Sequence, residues 1–262
     1  MIARPEPRSP RRRAVLAATE PARTLMSAGV LAAGLPLLTR APRGEPHPVL
    51  VLPGLMASDV STRALRTWLR RLGYPVVGWA LGRNRGPTKE VVSELPLVVD
   101  RLAREHGTSV SIVGWSLGGI YARRLARRSP RQVRQVVSLG SPFALADRGA
   151  DSSPGGRVYR RLAPVHADGR IHASPTSLAR PLPVPSTAVY SKWDGVVDWQ
   201  ACRQEQGPRS ENVAVRSSHL GMGHDPAVLW IVADRLAQPR HEWRPFERPT
   251  RFGLGALFPS ED

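Results

Sequence analysis

Hydrophobic residues recur along this chain with two alternating periods. Val49-Leu50-Val51-Leu52 follows the breaker Pro46-His47-Pro48 and is too apolar for a half-exposed strand; it predicts a buried strand of a parallel sheet. Residues 61–72 then place Leu65, Trp68, Leu69 and Leu72 on one helical face, and Gly73 predicts the stop. A strand over 74–79, a loop over 81–87 and a helix over 90–106 follow, with Pro96 as a kink point and Gly107 as the end. Residues 110–113 form a third apolar run, 120–128 a helix and 133–139 another strand. The pattern resumes with strands at 186–190 and 213–215 and closes with a helix over 226–236. Strands alternating with helices predict an α/β domain over 46–237, built on a doubly wound, mostly parallel sheet with right-handed crossovers.

Three stretches depart from this rhythm. Residues 143–185 are rich in Pro, Gly, Ser and Arg with little periodicity. A long irregular segment in a compact domain is usually functional, and here it is expected to form a small irregular lid over a site. Residues 1–24 and 238–262 are Pro- and Arg-rich, and the first of these is expected to be a disordered basic tail. Between tail and domain, Leu25, Ala28, Ala32 and Leu35 recur at helical spacing over 25–39. This predicts an amphipathic helix packed on the domain or lying at a membrane surface. The apolar stretch is shorter than the ~20 residues a membrane span needs. Arg11-Arg12-Arg13 before Ala14-Val15-Leu16 resembles the start of an export signal, but Thr19-Glu20-Pro21 cuts that run short.

Composition adds two constraints. The net charge is +17, and of 38 basic residues all but Lys89 and Lys192 are arginines. They are spread through the chain without a nucleic-acid motif, so the charge points to solvated arginine-rich faces rather than a specific nucleic-acid partner. Contact with an anionic membrane surface is the alternative. Cys202 is the single cysteine, so no intrachain disulfide can form. A cytoplasmic location is expected, with a membrane-peripheral or exported protein as the alternatives.

The candidate chemistry starts at Gly114-Trp115-Ser116-Leu117-Gly118, between the 110–113 strand and the 120–128 helix. Gly-x-Ser-x-Gly also arises by chance in glycine-rich loops. A strand before it and a helix after it mark a nucleophile elbow, which lifts the Ser116 hydroxyl to a helix N-terminus. A serine hydroxyl needs a base, and the base needs an acid to hold its tautomer. Asp194 follows the 186–190 strand, and His219 lies in the loop before the last helix, giving the order Ser116, Asp194, His219. Asp198 is an alternate acid, although its place before Trp199 suits a helix cap better. His224 is an alternate base, although it precedes the Asp225-Pro226 helix start. His219, His224 and Asp225 lack a further ligand cluster, so no metal and no cofactor is expected. The oxyanion donors are expected to be the N–H of Leu117 and that of Leu55, or Met56, in the loop Pro53-Gly54-Leu55-Met56.

These motifs resemble the α/β-hydrolase superfamily, and within it the lipase/esterase-like serine hydrolases. The resemblance spans about 48–236. Residues 190–197 with Ser218-His219-Leu220-Gly221 are similar to bacterial triacylglycerol-lipase-like members. It implies hydrolysis of a small-molecule or lipid carboxylic ester through an acyl-enzyme. The chain departs from the family in carrying Pro53-Gly54 where a His-Gly oxyanion motif is common. An acyltransferase or thioesterase using the same three residues, or a non-catalytic binding protein on this fold, would share the pattern.

Overall fold

The computed structural model describes residues 9–144, 153–162 and 178–249, together with 255, 258 and 259. Six strands form one parallel sheet: β1 (Val49–Leu52), β2 (Val76–Gly78), β3 (Val110–Trp115), β4 (Val133–Leu139), β5 (Ser186–Ser191) and β6 (Ser210–Val215). Their spatial order is β2-β1-β3-β4-β5-β6. The chain therefore reverses direction across the sheet between β1 and β3, and the crevice at such a switch point is where open α/β sheets bind ligands. β1 and β3 pair with Leu52 opposite Gly114, so the loops leaving the two strands emerge side by side.

The short apolar strands alternate between two cores. Val49, Val51, Val113 and Trp115 face one layer, while Leu50, Leu52 and Ile112 face the other. Among the described residues the helices are α1 (Pro10–Ala18), α2 (Glu20–Leu38), α3 (Arg63–Arg71), α4 (Lys89–Glu105), α5 (Leu117–Arg128), α6 (Pro154–Arg161) and α7 (Pro226–Ala237). α3 and α7 bury Leu65, Leu69 and Ile231 in the first core; α4 and α5 bury Leu95, Val99 and Ala122 in the second. Pro96 lies inside α4, which continues through it.

The N-terminal region differs from the sequence-based expectation. Residues 10–24 are helical rather than a disordered tail. Ser9 caps α1 by accepting the N–H of Arg12 at 3.3 Å, and Pro10 starts the helix. The second helix begins at Glu20, not at 25, and its first turns are oriented opposite to an ordinary amphipathic helix, while Leu31, Leu37 and Leu38 further along pack on the core. Leu25 and Met26 are 77% and 67% exposed, whereas Glu20 is 3% exposed. Leu25 and Leu35 therefore do not form the docking face. Lower down, Gly34 sits against Pro226, the first residue of α7, and Leu38 enters the core. No described helix is long and apolar enough to cross a membrane. Beyond α7, Phe246 and Phe258 pack against the first core.

Of the irregular 143–185 segment, most of the interior lies outside the described residues. Its described parts include α6 and Leu178, Leu182 and Val184, which are buried. Arg123 on α5, fully buried, holds the 178–180 stretch. It donates to the carbonyls of Leu178 at 2.6 Å and Arg180 at 2.8 Å and to Gln204 at 2.7 Å.

Candidate active site

Ser116 joins β3 to α5 with φ 53° and ψ −119°, a conformation L-residues rarely adopt. Such a residue costs on the order of 1–3 kcal/mol and persists where its surroundings over-determine it. The surroundings here are close backbone approaches. A Cβ on Gly114 would run into Gly118 and Gly119, and one on Gly118 would run into the carbonyl of Leu52. Both glycines are thus required by space. Ser116 occupies the N-cap position of α5, where unpaired N–H groups and the helix dipole favour negative charge.

The loop after β1 closes over the same point. Gly54 lies near enough that a Cβ would sit 3.1 Å from that of Ser116. Met56 has φ 61° and gives its N–H to the carbonyl of Asn84 at 2.6 Å. Of the two candidate donors in this loop, the Met56 N–H is thus already engaged. Leu117 is the first residue of α5, so its N–H has no intrahelical acceptor.

Asn84 organises this loop, and sequence reasoning missed it. Its amide donates to Pro53 O at 2.9 Å; its Oδ1 accepts from Gly86 N–H and from the Tyr121 hydroxyl, both at 3.1 Å. One buried residue thereby ties the β1 loop, its own turn and α5 together. Asn84 sits in a Gly/Arg/Asn stretch that reads as ordinary loop, and nothing local marks it.

Asp194 and His219 meet directly. The His219 Nδ1 lies 2.6 Å from Asp194 Oδ2, and both side chains are buried. The other oxygen, Oδ1, accepts the N–H groups of Val196 and Val197 at 2.8 Å each. The carboxylate is thus fixed in position by backbone donors. Burial works against a charged His219 ring. The adjacent Asp194 charge, its hydrogen bond and the charge of Glu20 outweigh that and raise the imidazole above its usual range. Trp115 links the elbow to this loop by donating from Nε1 to His219 O at 3.1 Å.

The alternates are placed elsewhere. Asp198 caps the 3-10 turn Trp199–Cys202 through the Gln200 N–H and pairs with Arg13 at 3.6 Å. His224 faces the Thr24 carbonyl at 3.4 Å, and its neighbour Asp225 caps α7. Among the described residues, no three His, Cys, Asp or Glu side chains cluster so as to hold a metal ion.

Glu20 is the second residue the sequence did not reveal. Its carboxylate accepts from Gly195 N–H at 3.1 Å and from Leu220 N–H at 2.8 Å. These are the residues that follow Asp194 and His219. Arg23 donates to the same carboxylate at 2.8 Å, and Thr24 bonds Ser218 at 3.2 Å. Glu20, Arg23, Thr24 and Ser27 share the inward face of the first half of α2, which explains why Leu25 and Met26 turn outward there. The signal was present in that polar i, i+3, i+4, i+7 spacing, but it carries no meaning until the loops it meets are known.

Ser116, Leu55, Leu117 and His219 line one cavity of about 660 Å³. Its walls are mostly apolar, with Ile120 and Phe143 on one side and Val158 of α6 and Val196 on another. The arrangement offers a hydroxyl at a helix N-terminus, a carboxylate-held imidazole and a mostly apolar chamber.

No family model matches the chain, and no curated protein matches its sequence. Solved structures do match. Lipase B of Aspergillus fumigatus aligns at 16% identity with a TM-score of 0.56, covering 85% of this chain and 62% of that one. The chain thus spans less than two thirds of that lipase. A monoacylglycerol lipase of Paleococcus ferrophilus aligns at 16% identity with a TM-score of 0.51, covering 74% of this chain and 97% of that one. An alpha/beta hydrolase enzyme from a lagoon-sediment metagenome gives 17%, 0.52, 74% and 91% by the same measures.

Proposed function

The chain adopts the α/β-hydrolase fold, and on that premise we propose that it is a cofactor-independent serine hydrolase of carboxylic esters. The observation that carries this is the 2.6 Å Asp194–His219 contact at the end of the late strands, sharing a cavity with the strained Ser116. Ser116 Oγ attacks the ester carbonyl while His219 Nε2 takes its proton. Asp194 stays ionised and holds the Nδ1–H. The N–H groups of Leu55 and Leu117 receive the oxyanion. Collapse expels the alcohol, which takes the proton from His219. Water, deprotonated by the same imidazole, then releases the acid and regenerates Ser116. An acyltransferase or thioesterase would use the same intermediate with a different acceptor or leaving group.

Labelling with a fluorophosphonate probe tests the reading, with p-nitrophenyl esters of increasing chain length assayed alongside. The wild type is expected to label and Ser116→Ala to lose both label and hydrolysis. Asp194→Asn is expected to lower kcat by about 10⁴, and Asp198→Asn by far less. A folded wild type that neither labels nor hydrolyses would instead support a non-catalytic binding protein.

A second reading rests on the outward face of α2. Leu25, Met26 and Val30 are exposed there, and Arg11 and Arg12 are exposed on α1. This combination suits contact with an anionic membrane surface. Salt-sensitive cosedimentation with phosphatidylglycerol vesicles, weakened in Leu25→Ser/Met26→Ser, is the expected result; no sedimentation would refute it.

A further inference from the structure

One charged side chain in the cavity has no role in the chemistry above. Arg124 lines it, with its Nε buried and without a hydrogen-bond partner. None of the ion pairs among the described residues involves Arg124. Burial alone depresses its guanidinium below the ordinary arginine range, while Tyr159 and Tyr121 partly offset that. The cavity holds a second arginine, Arg160, and no Asp or Glu among its described lining residues.

A partly desolvated guanidinium without a carboxylate is an unfavourable arrangement unless something fills it. Its neighbour Arg123, by contrast, spends its donors on Leu178, Gln204 and Arg180, and Arg127, whose Nε is likewise buried without a partner, still donates to the Arg180 carbonyl at 2.8 Å. Arg124 points the other way, into the chamber. Ser116, Ile120 and Arg124 succeed one another along the cavity side of α5. Eight residues at 1.5 Å each separate Ser116 from Arg124 by about 12 Å along the axis. The nucleophile and the unpaired cation are thus at two ends of one apolar wall.

We propose that Arg124 is a substrate-recognition residue, and that the cavity takes esters whose acyl chain ends in an anionic group, a terminal carboxylate being the simplest form. The ester carbonyl lies at Ser116, the chain runs along Ile120, and the anion meets the guanidinium two helical turns on. A carboxylate there makes a charge-assisted, fork-like contact that a neutral chain end does not. The inference rests on the serine-hydrolase reading for the placement of the reacting end.

The test compares p-nitrophenyl monoesters of straight-chain dicarboxylic acids with the same esters methyl-capped at the far end. In the wild type, kcat/KM at the best chain length is expected to favour the free carboxylate by roughly tenfold or more, chiefly through KM. In Arg124→Gln the ratio is expected to fall to about one, and Arg124→Lys to keep part of it. Using a ratio within each protein removes any loss of folded enzyme. A wild-type ratio near one, or a preference that survives Arg124→Gln, would overturn the proposal. If no ester is hydrolysed, calorimetric binding of the free dicarboxylic acids decides it separately. Binding lost in Arg124→Gln supports the site even though the serine chemistry has failed. Equal binding by the two proteins, or none by the wild type, overturns it.

Discussion

The carboxylate of Glu20 accepts the backbone N–H of Leu220 at 2.8 Å, one residue past His219. Its other oxygen takes the N–H of Gly195, one residue past Asp194. Glu20 thereby clamps the Asp194 loop and the His219 loop to each other. Catalytic groups need to be held within a fraction of an ångström of their working geometry, and loops alone seldom do this.

Replacing Glu20 with Ala removes the acceptor of the buried Gly195 N–H and of the part-buried Leu220 N–H, while Arg23 keeps the carbonyls of Leu16 and Trp193. Each lost partner costs roughly 1–3 kcal/mol. We expect Glu20→Ala to lower kcat by about tenfold or more, with KM changing less, and to reduce the melting temperature. Unchanged kcat in a folded Glu20→Ala protein would show that the Asp194 and His219 loops hold themselves in place.

Glu20→Gln separates charge from geometry. His219 acts as a base only when neutral, so a raised pKa places the acid limb of kcat/KM above the ordinary histidine value of 6.5. Asp194 and Glu20 supply the negative charge facing the ring, and Arg23 pairs with Glu20. Removing the Glu20 charge is expected to move the acid limb to lower pH. A limb that stays put while the rate falls would assign Glu20 a purely geometric role.

Asn84 fixes the loop that carries Leu55, the proposed oxyanion donor. Asn84→Ala removes bonds to Pro53, Gly86 and Tyr121. Loss of one oxyanion donor costs about 10²–10³ in kcat, and a loosened donor is expected to fall at or below that range. Steady-state kinetics on a short-chain ester checks this, with labelling of Ser116 retained because the elbow is untouched.

His47 sits at the entry to β1, with Nε2 2.7 Å from Ser111 Oγ and Nδ1 2.9 Å from Glu45 O. Burial pushes its pKa down to about 4. The unfolded chain, with a histidine near 6.5, then binds the proton more readily. The stability this group contributes is present above pH 6.5 and is lost as pH falls from there through about 4, on the order of 3 kcal/mol in all. Urea denaturation across that range is expected to show a smaller slope for His47→Gln than for the wild type. Parallel slopes would show that His47 is not a source of acid sensitivity.

How far the fold can be read from the chain depends on the range of the forces involved. Val49-Leu50-Val51-Leu52, Val110–Trp115 and Val133–Leu139 are legible because a doubly covered strand must be apolar on both faces. The elbow is legible because a strand, Gly-x-Ser-x-Gly and a helix follow one another in the chain, and the Gly114 requirement arises within it, from Gly118 and Gly119, although Gly118 itself is required by the Leu52 carbonyl on the neighbouring strand. The order Ser116, Asp194, His219 follows from strand ends, and the 2.6 Å contact between the last two fits that order. Local pattern gives the wrong answer at the N-terminus. α2 turns its polar side inward because the loops after β5 and β6 offer unpaired N–H groups there, and those loops lie far away in sequence. Asn84, Glu20 and Arg124 derive their importance from partners, or the lack of them, that only the assembled sheet brings near. The sequence by itself determined the strands, the helices that alternate with them and the candidate reacting groups, through periodicity and close backbone packing, whereas α1, α6 and the start of α2 escaped it. The tertiary structure alone decided what holds those groups in place and which cation is left facing the cavity, since burial and hydrogen-bond pairing depend on the whole chain.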